Sequence, residues 1–151
     1  MALCARRSEM AENITFTFDV HGENFSSAGE ASVMVKKKLR QLGFSPDIIR
    51  RVSIAMYEGE INMVIHADGG VAEVTVTDDD IIIVLADKGP GIPNVELAMQ
   101  EGFSTARDNI RALGFGAGMG LPNMKKYTDT MKIDTEIGVG TTITMTVRHK
   151  T

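Results

Sequence analysis

With 151 residues, 43% of them hydrophobic and 24% charged, the chain has the size and composition of one compact domain, which excludes wholesale disorder. Its longest apolar run, Ile81 to Ala86, is far too short to cross a bilayer, and Met1 to Arg7 lacks the apolar stretch of a secretory signal, so a cytoplasmic protein is expected. A net charge of −4 gives nucleic acid and anionic lipid no overall attraction, and the single cysteine, Cys4, excludes an internal disulfide or a cysteine-based zinc site.

Residues 1–12 read as a flexible terminus and 13–151 as a single domain. Ile14, Phe16, Phe18 and Val20 alternate with polar residues, the period of a strand with one buried face. From Ser26 to Leu42 the pattern is helical, with Val33, Leu39 and Leu42 among polar residues and Gly43 as its stop; Lys36-Lys37-Lys38 reads as a solvated face, with a local basic patch as the alternative. Ser45-Pro46 starts a second helix, serine as N-cap and proline in the first turn, running to about Ala67. After Asp68-Gly69-Gly70, the runs Val71–Thr77 and Ile81–Leu85 read as strands joined by a three-aspartate turn. The second is apolar on both faces and is expected at the centre of a sheet.

The glycine-bearing stretch from Asp87 to Gly120, broken by a short helix near Val95 to Gln100, is long for a plain connection, and such loops are usually functional. A helix from about Leu121 to Thr128 and two strands close the chain. This order predicts an α+β fold, a two-layer sandwich with helices on one face of a mixed, mostly antiparallel sheet.

Helix phase separates the candidate acidic residues. At about 100° per residue, Glu58 and Asn62 lie about 40° apart, whereas Glu60 points about 160° from Glu58. A glutamate there can act as a base and an asparagine oxygen suits Mg²⁺, although the spacing alone favours an exposed polar pair one turn apart. His66 continues the row and reads as a partly buried helix-end histidine. Asp87 opens Asp-Lys-Gly-Pro-Gly91 directly after the central strand, where an ionised carboxylate would accept from the amino group of adenine and repel the carbonyl of guanine; a strand-end turn is the plain alternative. Gly114-Phe-Gly-Ala-Gly-Met-Gly120 runs into a helix, a pattern suited to phosphate but also to a hinge. It fits neither the Walker loop nor the Rossmann fingerprint. Gly138-Val-Gly-Thr-Thr142 alone reads as a hairpin turn.

Taken in order, Glu58-x-x-x-Asn62, Asp87-x-Gly-x-Gly91, Gly116-x-Gly118-x-Gly120 and Gly138-x-Gly-Thr-Thr142 resemble the Bergerat-fold (GHKL) ATPase superfamily over roughly residues 13–148. Small size, Glu101-Gly-Phe-Ser-Thr105 and Gly-Met-Gly-Leu-Pro122 look like the bacterial anti-sigma and switch serine kinases. The resemblance implies ATP and Mg²⁺ as cofactors, with Glu58 as general base and Asn62 as the metal ligand. It implies nucleotide contacts from Asn62, Asp87, Gly89, Gly91, Ile92, Ser104, Thr105, Gly114, Gly116, Ala117, Gly118, Met119, Gly120, Leu121 and Thr142, with Gly102 to Gly114 as a lid. Its partners would be a small anti-anti-sigma-type antagonist and a sigma factor, with homodimerisation as a further implication. Gly59 departs from the family pattern, and a glycine costs a helix about 1 kcal/mol relative to alanine, which predicts a locally weak helix beside Glu58. Two other readings compete with the kinase: a nucleotide-dependent binding module that transfers nothing, and a stand-alone histidine-kinase catalytic domain. The latter would need its accepting histidine on another chain, since no dimerising hairpin precedes the first strand.

Overall fold

The structure, a computed structural model, describes residues 13–22, 26–67, 69–100 and 120–150. The strands are β1 (Ile14–His21), β2 (Gly69–Val76), β3 (Asp80–Asp87), β4 (Thr130–Glu136) and β5 (Gly140–Arg148), and the helices are α1 (Glu30–Gln41), α2 (Pro46–His66), α3 (Val95–Ala98) and α4 (Gly120–Lys126). The sheet order is β1-β2-β3-β5-β4, with β3 at the centre as expected. Every pairing among the described residues is antiparallel, in keeping with the mostly antiparallel sheet expected. Two helices of opposite direction lie between β1 and β2 and return the chain so that Gly69 pairs with His21. A single crossover helix would have made the pair parallel.

One face of the sheet carries the core. Ile81, Ile83 and Leu85 of β3 are at most 1% exposed and lie beneath α2, whereas the alternate residues Ile82, Val84 and Ala86 are only half-buried. The apolar second face of β3 thus reflects neighbouring strands and not a second layer.

Helix α1 is shorter than expected because it begins after Gly29, whose φ of 97° is left-handed. Its buried row is Ala31, Val35 and Leu39, spaced four apart; Val33 and Leu42, expected inside, are 54% and 44% exposed. Helix α2 starts as expected, with the Ser45 hydroxyl accepting from the Ile48 N–H at 3.3 Å and Pro46 in the first turn. It then runs unbroken through Gly59. The expected weak point is instead a close approach: a Cβ at Gly59 would lie 2.0 Å from Leu85 Cδ1 and 3.3 Å from Met124 Sδ. Glycine lets the helix settle on β3, and this packing outweighs the propensity cost.

Glu60 holds α1 against α2. Its Oε2 accepts from the N–H groups of Gly29 (3.0 Å) and Ala31 (3.2 Å), and its Oε1 from the Ser32 N–H (3.0 Å) and hydroxyl (2.7 Å). Gly29 has no side chain with which to cap α1, so the cap comes from another helix. A negative charge at this end also complements the helix dipole.

Arg51 ties α4 in place at the other end of α2. Its Nε donates to the Tyr127 carbonyl at 3.2 Å and its Nη2 lies 3.1 Å from Asp129 Oδ2. The Arg148 N–H, aided by Arg51, holds the Asp129 carboxyl below the usual carboxylate range.

Replacing Glu60 with alanine orphans three buried N–H groups, and hydrogen bonds to a charged acceptor contribute about 1.5–3 kcal/mol each before compensation. Glu60→Ala is therefore expected to lower the unfolding free energy by about 3 kcal/mol in urea denaturation. A loss below about 1 kcal/mol would show that water replaces the carboxylate.

Candidate nucleotide site

Glu58, Asn62 and His66 follow one another at four-residue spacing along α2, a row about 12 Å long. All three are half-buried. Helix α4 begins beside this row, where a Cβ on Gly120 would come within 3.1 Å of Asn62 Oδ1. Asn123, which the sequence reading did not single out, donates from Nδ2 to Glu58 Oε1 at 3.4 Å. Its position one turn after Gly120 was the available signal. Leu121, expected at the nucleotide, is 7% exposed and belongs to the core cluster.

The second half of the site is built by β3, the turn after it and the β4–β5 hairpin. Asp87 Oδ1 accepts from the Gly89 N–H at 2.8 Å and the Thr141 N–H at 3.0 Å. The hairpin leans on the same turn, with Gly138 donating to the Pro90 carbonyl at 2.9 Å and the Ile92 N–H to Thr135 Oγ1 at 2.9 Å. Gly91 sits between them at φ 86°, and a Cβ there would lie 2.7 Å from the Glu136 carbonyl oxygen. Its glycine is thus required by the hairpin itself.

Strand alternation separates the two threonines of the hairpin. Thr142, expected at the nucleotide, pairs with Ala86 and lies on the sheet face away from the helices, while Thr141 is buried on the helix-facing side. Thr141 bonds Asp87 through its N–H, and its hydroxyl is 2.9 Å from that of Thr135. Ser104, Thr105, Gly114, Gly116, Ala117, Gly118 and Met119, and the expected lid, lie outside the described residues.

The two halves meet at the end of α2. A Cβ on Gly89 would be 2.8 Å from the Ala67 Cβ, and the Asp87 charge acts on His66. Burial lowers the His66 pKa from its ordinary value, and the Asp87 carboxylate opposes this only in part. The imidazole is therefore neutral near pH 7.

These groups fit an adenine nucleotide carrying Mg²⁺. Asp87 retains acceptor capacity beyond its two N–H bonds. Among the described residues, no group of three or more His, Cys, Asp or Glu is arranged to hold a metal by itself. Asn62 would supply a single protein oxygen, and Mg²⁺ ordinarily takes its remaining ligands from water and substrate phosphates.

An antiparallel sheet covered on one face by helices thus carries an acid–amide row on its long helix and a fixed aspartate at the mouth of the central strand. A family model described as histidine kinase-, DNA gyrase B- and HSP90-like ATPase matches residues 47–151, and the chain belongs to that family. It is 34% identical over 119 residues to an anti-sigma F factor of Clostridium beijerinckii, covering 75% of this chain and 80% of the relative. It is 32% identical over 140 residues to an anti-sigma F factor of Bacillus licheniformis, covering 89% of each chain. It is also 31% identical over 108 residues to the serine/threonine-protein kinase RsbT of Bacillus subtilis, covering 69% of this chain and 75% of that protein. No helix among the described residues is long and apolar enough to cross a membrane.

A histidine whose folded pKa is depressed contributes stability that is fully present above its unfolded value of about 6.5 and is lost as pH falls through the folded value. Stability is thus expected to drop below about pH 6.5 in the wild type and to drop less in His66→Gln. Titrating the ring protons by NMR should also show a lower His66 pKa in Asp87→Asn, because the opposing carboxylate is gone. An unchanged value would remove the coupling between the two halves of the site.

Proposed function

We propose that this chain is an ATP-dependent protein serine/threonine kinase of the anti-sigma and switch type, which transfers the γ-phosphoryl group to a small regulatory protein. The observation that carries the reading is the placement of Glu58 and Asn62 at the start of α4, with Asp87 held by two N–H groups beyond the far end of the same helical row. The names of the relatives agree with it. Asp87 accepts from the adenine amino group, with Thr141 in place of Thr142 as its hairpin neighbour. Glu58 takes the proton of the acceptor serine as the serine oxygen attacks the γ-phosphorus and the bond to the β-phosphate oxygen breaks, releasing ADP. Asn62 would hold Mg²⁺, which would supply neutralisation of the phosphate charge. Asn123 orients Glu58 through its side-chain amide. The reading includes a cytoplasmic location, an anti-anti-sigma-type acceptor, a sigma factor as second partner and a homodimeric assembly.

The two ends of the site are separable by experiment. In Asp87→Asn the retained Oδ1 still accepts from Gly89 and Thr141, so stability should change by less than about 1 kcal/mol. The amide now presents a donor to the adenine amino group. Calorimetry is expected to show at least about tenfold weaker ATP binding, and an unaltered affinity removes Asp87 from the base pocket.

Glu58→Gln leaves a neutral isostere. With γ-labelled ATP, Mg²⁺ and antagonist proteins encoded beside the gene, transfer should fall on the order of 10²-fold while ATP affinity stays within a few fold. Transfer at the wild-type rate would disprove Glu58 as base. Wild-type binding of ATP and ADP with no transfer to any acceptor would instead identify a partner-switching module.

A further inference from the structure

The cations of this acidic protein are unevenly paired. On the sheet, Lys132, Arg148 and Lys150 each lie within 4 Å of an aspartate, and Arg51 pairs with Asp129. Lys36, Lys37 and Arg40 of α1, Arg50 of α2 and Lys125 and Lys126 of α4 are all exposed and have no carboxylate partner among the described residues. From Ala31 to Tyr57 the only acidic residue is Asp47.

The topology gathers these six at one pole. Helix α1 is antiparallel to α2, because its first turn meets Glu60 and its last precedes the short link to Ser45. Helix α4 is antiparallel to α2 as well, with Asn123 at Glu58 and Tyr127 at Arg51. The C-terminal halves of α1 and α4 therefore flank the N-terminal half of α2, at the end remote from Asn62 and His66. Three helices side by side at 8–10 Å spacing make this surface about 20 Å wide.

Helix dipoles explain part of the arrangement, since Arg40, Lys125 and Lys126 occupy last turns where cations are favoured. They do not explain Lys36 and Lys37 in the middle of α1, or Arg50 near the positive end of α2. Arg50 and Lys126 moreover share one ring, each 5.5 Å from the Tyr127 centroid. Two like charges so held are at most about 11 Å apart, close to the Debye length of roughly 10 Å at 0.1 M salt, so their fields overlap.

We propose that this pole docks an acidic protein segment whose charged half lies over Arg50, Lys37 and Lys126 and whose apolar half lies over exposed Val33 and Met34. Those two apolar side chains directly precede Lys36, Lys37 and Arg40 along α1, and exposed Leu42 follows them, so apolar groups adjoin the cations on this helix. A nucleic acid backbone offers no apolar half to match that adjacency, and a lipid surface would meet apolar and cationic groups at the same depth. The proposal does not rest on phosphotransfer, because none of these residues belongs to the nucleotide site.

The probe is a fluorescent synthetic helix, glutamate-rich over one half and leucine-rich over the other, titrated against the full chain. Binding is expected at low salt, weakening about tenfold between 50 and 300 mM salt, as screening demands. The double variant Lys37→Glu/Arg50→Glu should lose a further tenfold or more, Val33→Glu several-fold, and both should keep wild-type melting temperatures and ATP affinity. No binding of the peptide, binding indifferent to these substitutions, or tighter binding to a single-stranded oligonucleotide or to phosphatidylserine vesicles would each overturn the proposal.

Discussion

Helix α2 has to touch three neighbours at once, and the 100° step between successive helical residues lets one triplet do it. Glu58 faces α4, Gly59 faces β3 and Glu60 faces α1. The glycine sets how near the helix comes to the sheet. The carboxylates on either side then act at distances fixed by that approach. A larger residue at position 59 would lift α2 from Leu85 and carry both carboxylates with it, altering the cap on α1 and the contact with Asn123 together. The same triplet thus links the packing of the helical layer to the geometry of the candidate base.

Asp87 joins stability to the proposed recognition of the base in a similar way. One of its oxygens fastens β3 to its own turn and to β5, which fixes the carboxylate in position before any ligand arrives. A group already held this way loses little further freedom on binding, so more of its interaction appears as affinity. His66 completes the arrangement by staying neutral. Were the ring charged, the carboxylate would be partly satisfied as an ion pair, and the proposed preference for an amino group over a carbonyl on the base would be weaker.

Elements governed by local chemistry were legible in the sequence. Ser45-Pro46 announced the start of α2, Gly43 the end of α1, and the apolar run at residues 81–85 the central strand. Features that depend on a distant neighbour were not. Helix phase correctly separated Glu60 from Glu58, yet gave no reason to bury it. Its place in the row Val52, Met56, Glu60, Val64 was the overlooked sign, since a carboxylate amid buried apolar residues must find donors elsewhere. The Thr141 bond to Asp87 was not legible, because two adjacent threonines are alike in composition and only the strand register decides which one shares a face with Asp87. Gly59 misled for the same reason: propensity is local, whereas the space that only glycine leaves is set by Leu85.

Helix α4 shows how the two poles of the molecule are joined. It has seven residues and is only about 10 Å long, so its two ends cannot move independently. Arg51 holds the carbonyl of Tyr127 just past its end, while Asn123 meets Glu58 and Gly120 abuts Asn62 at its start. Met124 between them is fully buried, and its sulfur borders the space left by Gly59. The position of the helix start, where the glycine-rich stretch reaches the acid–amide row, is therefore fixed from the opposite side by an arginine remote from the nucleotide. Arg50, the next residue, stacks on the ring of that same Tyr127 at the basic pole. The surface cations and the candidate phosphate end of the site are thus attached to one short rigid element.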